Sequence, residues 1–252
     1  MKRYFISLSL AASLFFVGCG GGDGDGGVNL DADVVFKTVA KYDLREYVIP
    51  AENSISTYKE KIYTNENGKK SFKDDPEEDI YTEKYDVNST GVTVKDGSDT
   101  VDSVYIVKDD RIIDKETEDN STINEIVRFA DIGDYVLSFS DSKTENGNIP
   151  VTTKIACKLT GHYANKKVGS ITYNDVLKIE CKESSSGNLK NQNIEFSYTS
   201  EGETEIYFAK GIGDIYSEDI TCQNTNTVLN GAETKNSTCE KELVEIVSHN
   251  TI

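Results

Sequence analysis

Isoleucine and valine together outnumber leucine by 42 to 11 in this 252-residue chain, and much of that excess lies in short runs that alternate apolar with polar residues. β-Branched side chains crowd a helix but suit a pleated, half-buried surface. In Ile155-Ala156-Cys157-Lys158-Leu159, residues 155, 157 and 159 share one face, and in Leu177-Lys178-Ile179-Glu180-Cys181, residues 177, 179 and 181 do the same. Comparable runs cover 57–64, 80–87, 101–113, 135–140, 151–159, 171–181, 194–198 and 204–209. Turn signals fall between them, the clearest being Asn65-Glu66-Asn67-Gly68, Asp96-Gly97-Ser98-Asp99, Glu145-Asn146-Gly147-Asn148, Ser184-Ser185-Ser186-Gly187 and Ser200-Glu201-Gly202-Glu203.

Disorder is excluded by content. Beyond residue 18, Leu, Ile, Val and Phe make up 54 of 234 residues, above the roughly 20% below which charged chains fail to fold. The expected fold is all-β or mainly β: a curved antiparallel meander, a half-barrel with one face buried and its edges protected by curvature. One short helix is expected within 31–47, where Val34, Val35, Ala40, Leu44 and Val48 loosely follow helical spacing; an edge strand is the alternative.

The amino terminus has a different character. Lys2 and Arg3 precede an apolar run from Phe5 to Val17, too short for the roughly 20 residues that span a bilayer. The run ends in Phe16-Val17-Gly18-Cys19, which resembles the lipobox of bacterial lipoproteins, although Phe16 stands where Leu is usual. The resemblance implies cleavage before Cys19 and lipidation of that residue. Behind it, Gly20-Gly21-Gly22-Asp23-Gly24-Asp25-Gly26-Gly27 is a flexible tether with nothing to bury. The expected organisation is a signal peptide over 1–18, a lipidated cysteine and tether over 19–30, and a single β-rich domain over 31–252. Gly20 occupies the position where Asp favours inner-membrane retention in lipoproteins, so the resemblance points to the outer membrane, with the domain facing the periplasm or the cell surface.

Four cysteines remain: Cys157, Cys181, Cys222 and Cys239. An even number in an exported chain argues for disulfides, and no closely spaced pair suggests zinc. Three pairings are possible, and local spacing favours Cys157 with Cys181 and Cys222 with Cys239, the second closing a polar loop over 223–238.

Charge and composition narrow the function. A formal net charge of -17, becoming -19 once the signal is removed, disfavours nucleic acid. With two His and no Trp, most zinc hydrolase and Ser-His-Asp arrangements lack their imidazoles, and His162 and His249 read as surface residues. No cofactor or metal site is expected, nor an enzyme. Asn88 in Asp86-Val87-Asn88-Ser89-Thr90 and Asn120 in Glu118-Asp119-Asn120-Ser121-Thr122 match an extended acceptor pattern that resembles bacterial N-glycosylation sites.

One further resemblance covers 151–215. The segment Tyr173-Asn174-Asp175-Val176-Leu177 followed by Tyr207-Phe208-Ala209-Lys210-Gly211-Ile212-Gly213 looks like a recurrent ending in exported bacterial proteins, many of them lipoproteins, and implies a half-barrel similar to periplasmic lipoprotein-carrier folds. Independently, Gly211 and Gly213 flanking Ile212 mark a bend or a close backbone approach. The expected role is structural or protein-interacting within the cell envelope, anchored to a membrane by lipid. A carrier for a lipid or other apolar ligand is the alternative, and a glycan hydrolase the further one.

Overall fold

A computed structural model describes residues 32–252 apart from 67, 73–75, 117–121, 146–148 and 191–193. Its strands are β1 (Tyr42–Asp43), β2 (Ser54–Asn65), β3 (Glu77–Asn88), β4 (Gly91–Asp96), β5 (Val101–Val107), β6 (Arg111–Glu116), β7 (Thr122–Val127), β8 (Phe129–Ala130), β9 (Tyr135–Glu145), β10 (Ile149–Val168), β11 (Ile171–Lys190), β12 (Ile194–Ala209), β13 (Gly213–Leu229) and β14 (Ala232–Thr251), with one helix, α1 (Arg45–Val48). Twelve strands form one antiparallel sheet in the order β7-β6-β5-β4-β3-β2-β14-β13-β12-β11-β10-β9. Every pair is a chain neighbour except β14 with β2, which brings the last strand beside the first long one. The edge strands β7 and β9 approach each other, so the meander curves past a half-barrel into a nearly closed barrel. Between these edges in the chain lies β8, which pairs with β1, and curvature of this kind is how an antiparallel sheet removes its exposed edges.

Short connections fix the register. Asn230 and Gly231 join β13 to β14 with φ of 50° and 83°, the left-handed pair that a two-residue hairpin requires. Gly91, which opens β4, faces β5 so closely that a Cβ there would lie 1.9 Å from the Tyr105 carbonyl oxygen.

The inward rows follow from the period of two. Ile155, Cys157 and Leu159 on β10 oppose Glu183, Cys181 and Ile179 on β11, and Ile179 continues to Ile206 on β12. At one end of the barrel these rows are aliphatic and aromatic, and with Tyr85, Tyr105, Ile112, Ile126 and Phe208 they form a buried core against Leu44, Tyr47 and Val48 of the α1 region.

Several expectations are corrected. The helix expected over 31–47 is confined to Arg45–Val48; Val35 and Val39 are exposed, so the preceding residues have no apolar stripe to bury. The run 101–113 divides into β5 and β6 around Asp109 and Asp110. Ser184–Gly187 and Ser200–Glu203, read as turns, lie inside β11 and β12 and face each other across them, Ser185 opposite Ser200. Glycine serves close strand approach there: a Cβ at Gly187 would lie 3.0 Å from the Pro150 carbonyl oxygen. The polar stretch 223–238, expected as a loop, is a paired hairpin that continues to Leu229 opposite Ala232.

Candidate functional site

At the core end, Asp175 is a hub. It has φ of 53° just before Val176 and Leu177 turn into the body of β11, a conformation that short polar side chains tolerate. Its Oδ1 accepts a hydrogen bond from the Tyr47 hydroxyl at 3.0 Å and pairs with His162 Nε2 at 2.8 Å. Lys210 lies 3.9 Å from Asp175 Oδ2 and 2.8 Å from Glu46 Oε2. Burial acts to raise the Asp175 carboxyl, but the hydrogen bonds of His162 and Tyr47 and the Lys210 charge outweigh it and hold it below its ordinary value. Burial, then the Asp175 hydrogen bond, pushes the Tyr47 hydroxyl far up.

Backbone contacts complete this clasp. Lys210 N–H donates to the Asp175 carbonyl at 3.1 Å, Gly211 N–H to the Glu46 carbonyl at 2.7 Å, and Ala51 N–H to the Gly211 carbonyl at 3.0 Å. Gly213, with φ of 100°, sits so that a Cβ would be 3.5 Å from Pro50 Cδ. The bend expected from Gly211 and Gly213 is therefore the seat of α1. A catalytic relay needs a nucleophile bonded to the imidazole, and among the described residues no Ser, Thr or Cys is hydrogen-bonded to His162. The arrangement fastens the helix into the barrel.

The walls of the barrel differ in charge. On β2, β11, β13 and β14 the inward positions carry Glu60, Glu183, Asp219, Glu240 and Glu242, whereas Lys59, Lys61, Lys178, Lys182 and Lys241 fall on outward positions. Outer lysines are ion-paired: Lys59 with Glu78 at 2.7 Å, Lys178 with Glu205 at 2.8 Å, Lys241 with Glu218 at 2.9 Å. A barrel crossing a bilayer turns an apolar band outward instead. No helix among the described residues is long and apolar enough to cross a membrane.

Inside, burial and then the neighbouring Asp219 push the Glu183 carboxyl up to about 7, against a hydrogen bond from Ser185. Burial raises Asp219 as well, although Thr204 Oγ1 and Thr221 Oγ1 donate to it at 2.6 and 2.9 Å. The Asp219 charge that helps raise Glu183 is itself steadied by those two hydroxyl donors. The sequence carries one signal for Glu183: its place two residues after Cys181 puts it on the cysteine's face. Nothing comparable in the sequence marked Asp175 as a hub, because Tyr47, His162 and Lys210 reach it from three separate segments.

Cys157 is bonded to Cys181 on the inward face and Cys222 to Cys239 on the outward face, each pair directly opposed across neighbouring strands. Asn88 is exposed at the β3–β4 hairpin, where its Oδ1 accepts from Thr90 N–H at 2.9 Å. Cys19 and Asn120 lie outside the described residues. His162 is exposed, whereas His249, expected at the surface, is half-buried with Nδ1 2.9 Å from Ser56 Oγ, and burial lowers its pKa.

Fold and site together define a class: a disulfide-stapled, nearly closed antiparallel β-barrel, whose two disulfides suggest an extracytoplasmic location. No family model matches the chain, and no curated protein matches it. Among solved structures it is similar to an outer membrane channel from Pseudomonas putida F1, at 9% identity over 80% of this chain and 97% of that one, with a TM-score of 0.20. Overlap at that level carries no argument about function.

Proposed function

We propose that the chain is a lipid-anchored protein of the cell envelope, tethered to the outer membrane through Cys19, whose barrel is a rigid scaffold for contacts with other envelope proteins. The observation that carries this reading is the filled end of the barrel: α1 is clasped into it by Asp175 and Lys210, and Leu44, Ile112, Leu159 and Leu177 are wholly buried there. A carrier for an apolar ligand needs a dry, open concavity, and the remaining inner wall offers carboxylates in its place. A pore needs both ends clear.

Anchoring and partnership have separate tests. Palmitate labelling is expected in the native protein and absent from Cys19→Ala, with the variant leaving the membrane fraction; unchanged fractionation defeats the anchor. A photo-crosslinking residue placed at the outward position Glu203 is expected to yield discrete adducts in intact envelopes. If no adduct forms there while lipid co-purifies with the gently isolated barrel, the carrier reading replaces the scaffold.

A further inference from the structure

The inner wall at the end away from α1 carries charge that the scaffold reading does not use. Glu183 on β11, Gly202 on β12, Thr221 on β13 and Glu240 on β14 stand in one inward row, with Asp219 one rung toward the core and Glu60 on β2 opposite Val244 a further rung in. Gly202 leaves this row without a side chain at its middle. Glu183 leans over the space, its Oε2 4.0 Å from where a Cβ would be. Glu240 and Glu77 are exposed at the rim, so the row opens to solvent.

Glu60 lies at the inner limit of the cluster. Its residue is 5% exposed and its Oε2 is buried without a hydrogen-bond partner. A buried carboxylate oxygen without a donor forfeits the hydration it had in the unfolded chain. The register sets Glu60, Asp219, Glu240 and Glu77 on one stretch of inner wall, and the protein packed around the Glu240 carboxyl, then the charges of Asp219, Glu60 and Glu77, raise it although the residue as a whole is exposed. The lysines of the surrounding strands cannot answer it, because Lys59, Lys61 and Lys241 are on the outer wall, paired with Glu78 and Glu218.

The spacing selects the kind of cation. Glu183 and Glu240 are three strands apart in one row, about 14 Å at the usual strand separation. Among the described residues no three Asp, Glu, His or Cys side chains converge closely enough to hold one metal ion. A point charge leaves most of the row unanswered, whereas a chain of ammonium groups several ångströms apart meets successive carboxylates.

We propose that the inward row Glu183, Asp219, Glu240 and Glu60 is a binding site for an extended organic polycation of the polyamine class, entering from the rim at Glu77 and Glu240. Titration calorimetry of the intact chain, both disulfides formed, with spermidine at fixed ionic strength provides the test. Saturable binding at one site is expected. Glu60→Gln and Glu183→Gln are expected to weaken it at least about tenfold each, while Glu203→Gln on the outer wall leaves it unchanged. Glu60→Gln keeps the shape and removes a buried charge, so the variant is expected to be at least as resistant to urea as the native protein, and loss of binding then cannot be laid to unfolding. Heat that never saturates, equal weakening by Glu203→Gln, equal affinity for magnesium or calcium ions, or tighter binding of a lysine-rich peptide than of spermidine each overturns the assignment.

Discussion

The two ends of the barrel are built from the same strands and solve opposite problems. Along β11, Leu177, Ile179 and Cys181 are buried in an apolar core, and two residues later on the same face stands Glu183. Along β14, Val244 and Ile246 are buried, and Glu242 and Glu240 follow on the inward face toward the rim. Because side chains on one face recur every second residue, the change from core to acidic wall takes a single step along each strand, and that step moves inward from β11 through β14 to β2. The apolar end holds the barrel together and the acidic end is left free to act; stability and charge are separated along the strand instead of between domains.

The largest break in that comparison is a cavity at the core end. Phe208 is 1% exposed, and Phe208→Ala is expected to cost about 3–5 kcal/mol, whereas Glu242→Ala at the acidic end is expected to cost under about 1 kcal/mol. Urea midpoints of the two variants check this. Similar losses would show that the far end contributes as much packing as the core.

The disulfides sharpen the same contrast. Cys157–Cys181 and Cys222–Cys239 close segments of similar length, with sequence separations of 24 and 17, so in the chain-entropy model each is worth about 3 kcal/mol. All four cysteines are buried, but Cys157 and Cys181 lie within the apolar core cluster, whereas Cys222 and Cys239 sit on the other face of the sheet, outside that cluster. Paired serine substitutions therefore cost more at 157 and 181, where two hydroxyls enter an apolar cluster. Equal losses in thermal unfolding would mean that the loop constraint alone matters.

Acidity tests the other end. Burial raises Glu183 from its ordinary value to about 7. The folded chain therefore holds a proton there at pH values where the unfolded chain has released it. That stability is fully present below the unfolded value and is lost as pH rises through the folded one. Between pH 4.5 and 7 the native protein is expected to lose on the order of 2 kcal/mol from this group. Urea denaturation of native and Glu183→Gln proteins at those two pH values measures the contribution, and an unchanged pH dependence in the variant would remove Glu183 as its source.

How far the sequence foretold this division follows from the range of each signal. Alternation is local, so Ile155 to Leu159 and Leu177 to Cys181 were readable as facing rows, and the pairing of Cys157 with Cys181 came with them. Closure is not local: β14 meets β2 across most of the chain, and no short pattern in 213–251 announces it. Polar strands carry the weakest local signal. Ser184 to Gly187 and Ser200 to Glu203 carry turn residues, but long hairpin neighbours supply their hydrogen bonds and override the local preference. The two glycines of Gly211-Ile212-Gly213 signalled a close approach without revealing that α1 was the body approached. The carboxylates of the inner wall looked, one at a time, like any solvated acid; only the register assembles them.

The smallest effect concerns the clasp that keeps the core end shut. Asp175→Asn removes the charge that His162, Tyr47 and Lys210 gather around while leaving a side chain that still accepts a hydrogen bond. The hub is partly open to solvent, so the expected loss is only about 1 kcal/mol. Its location is the informative part. The backbone amides of Gly211 and Ala51, which tie the β12–β13 turn to α1, are expected to exchange faster with deuterium, while amides along β10 and β11 keep their protection. A uniform rise in exchange would mean that the clasp and the barrel open as one unit, and that α1 is part of the wall rather than a plug held against it.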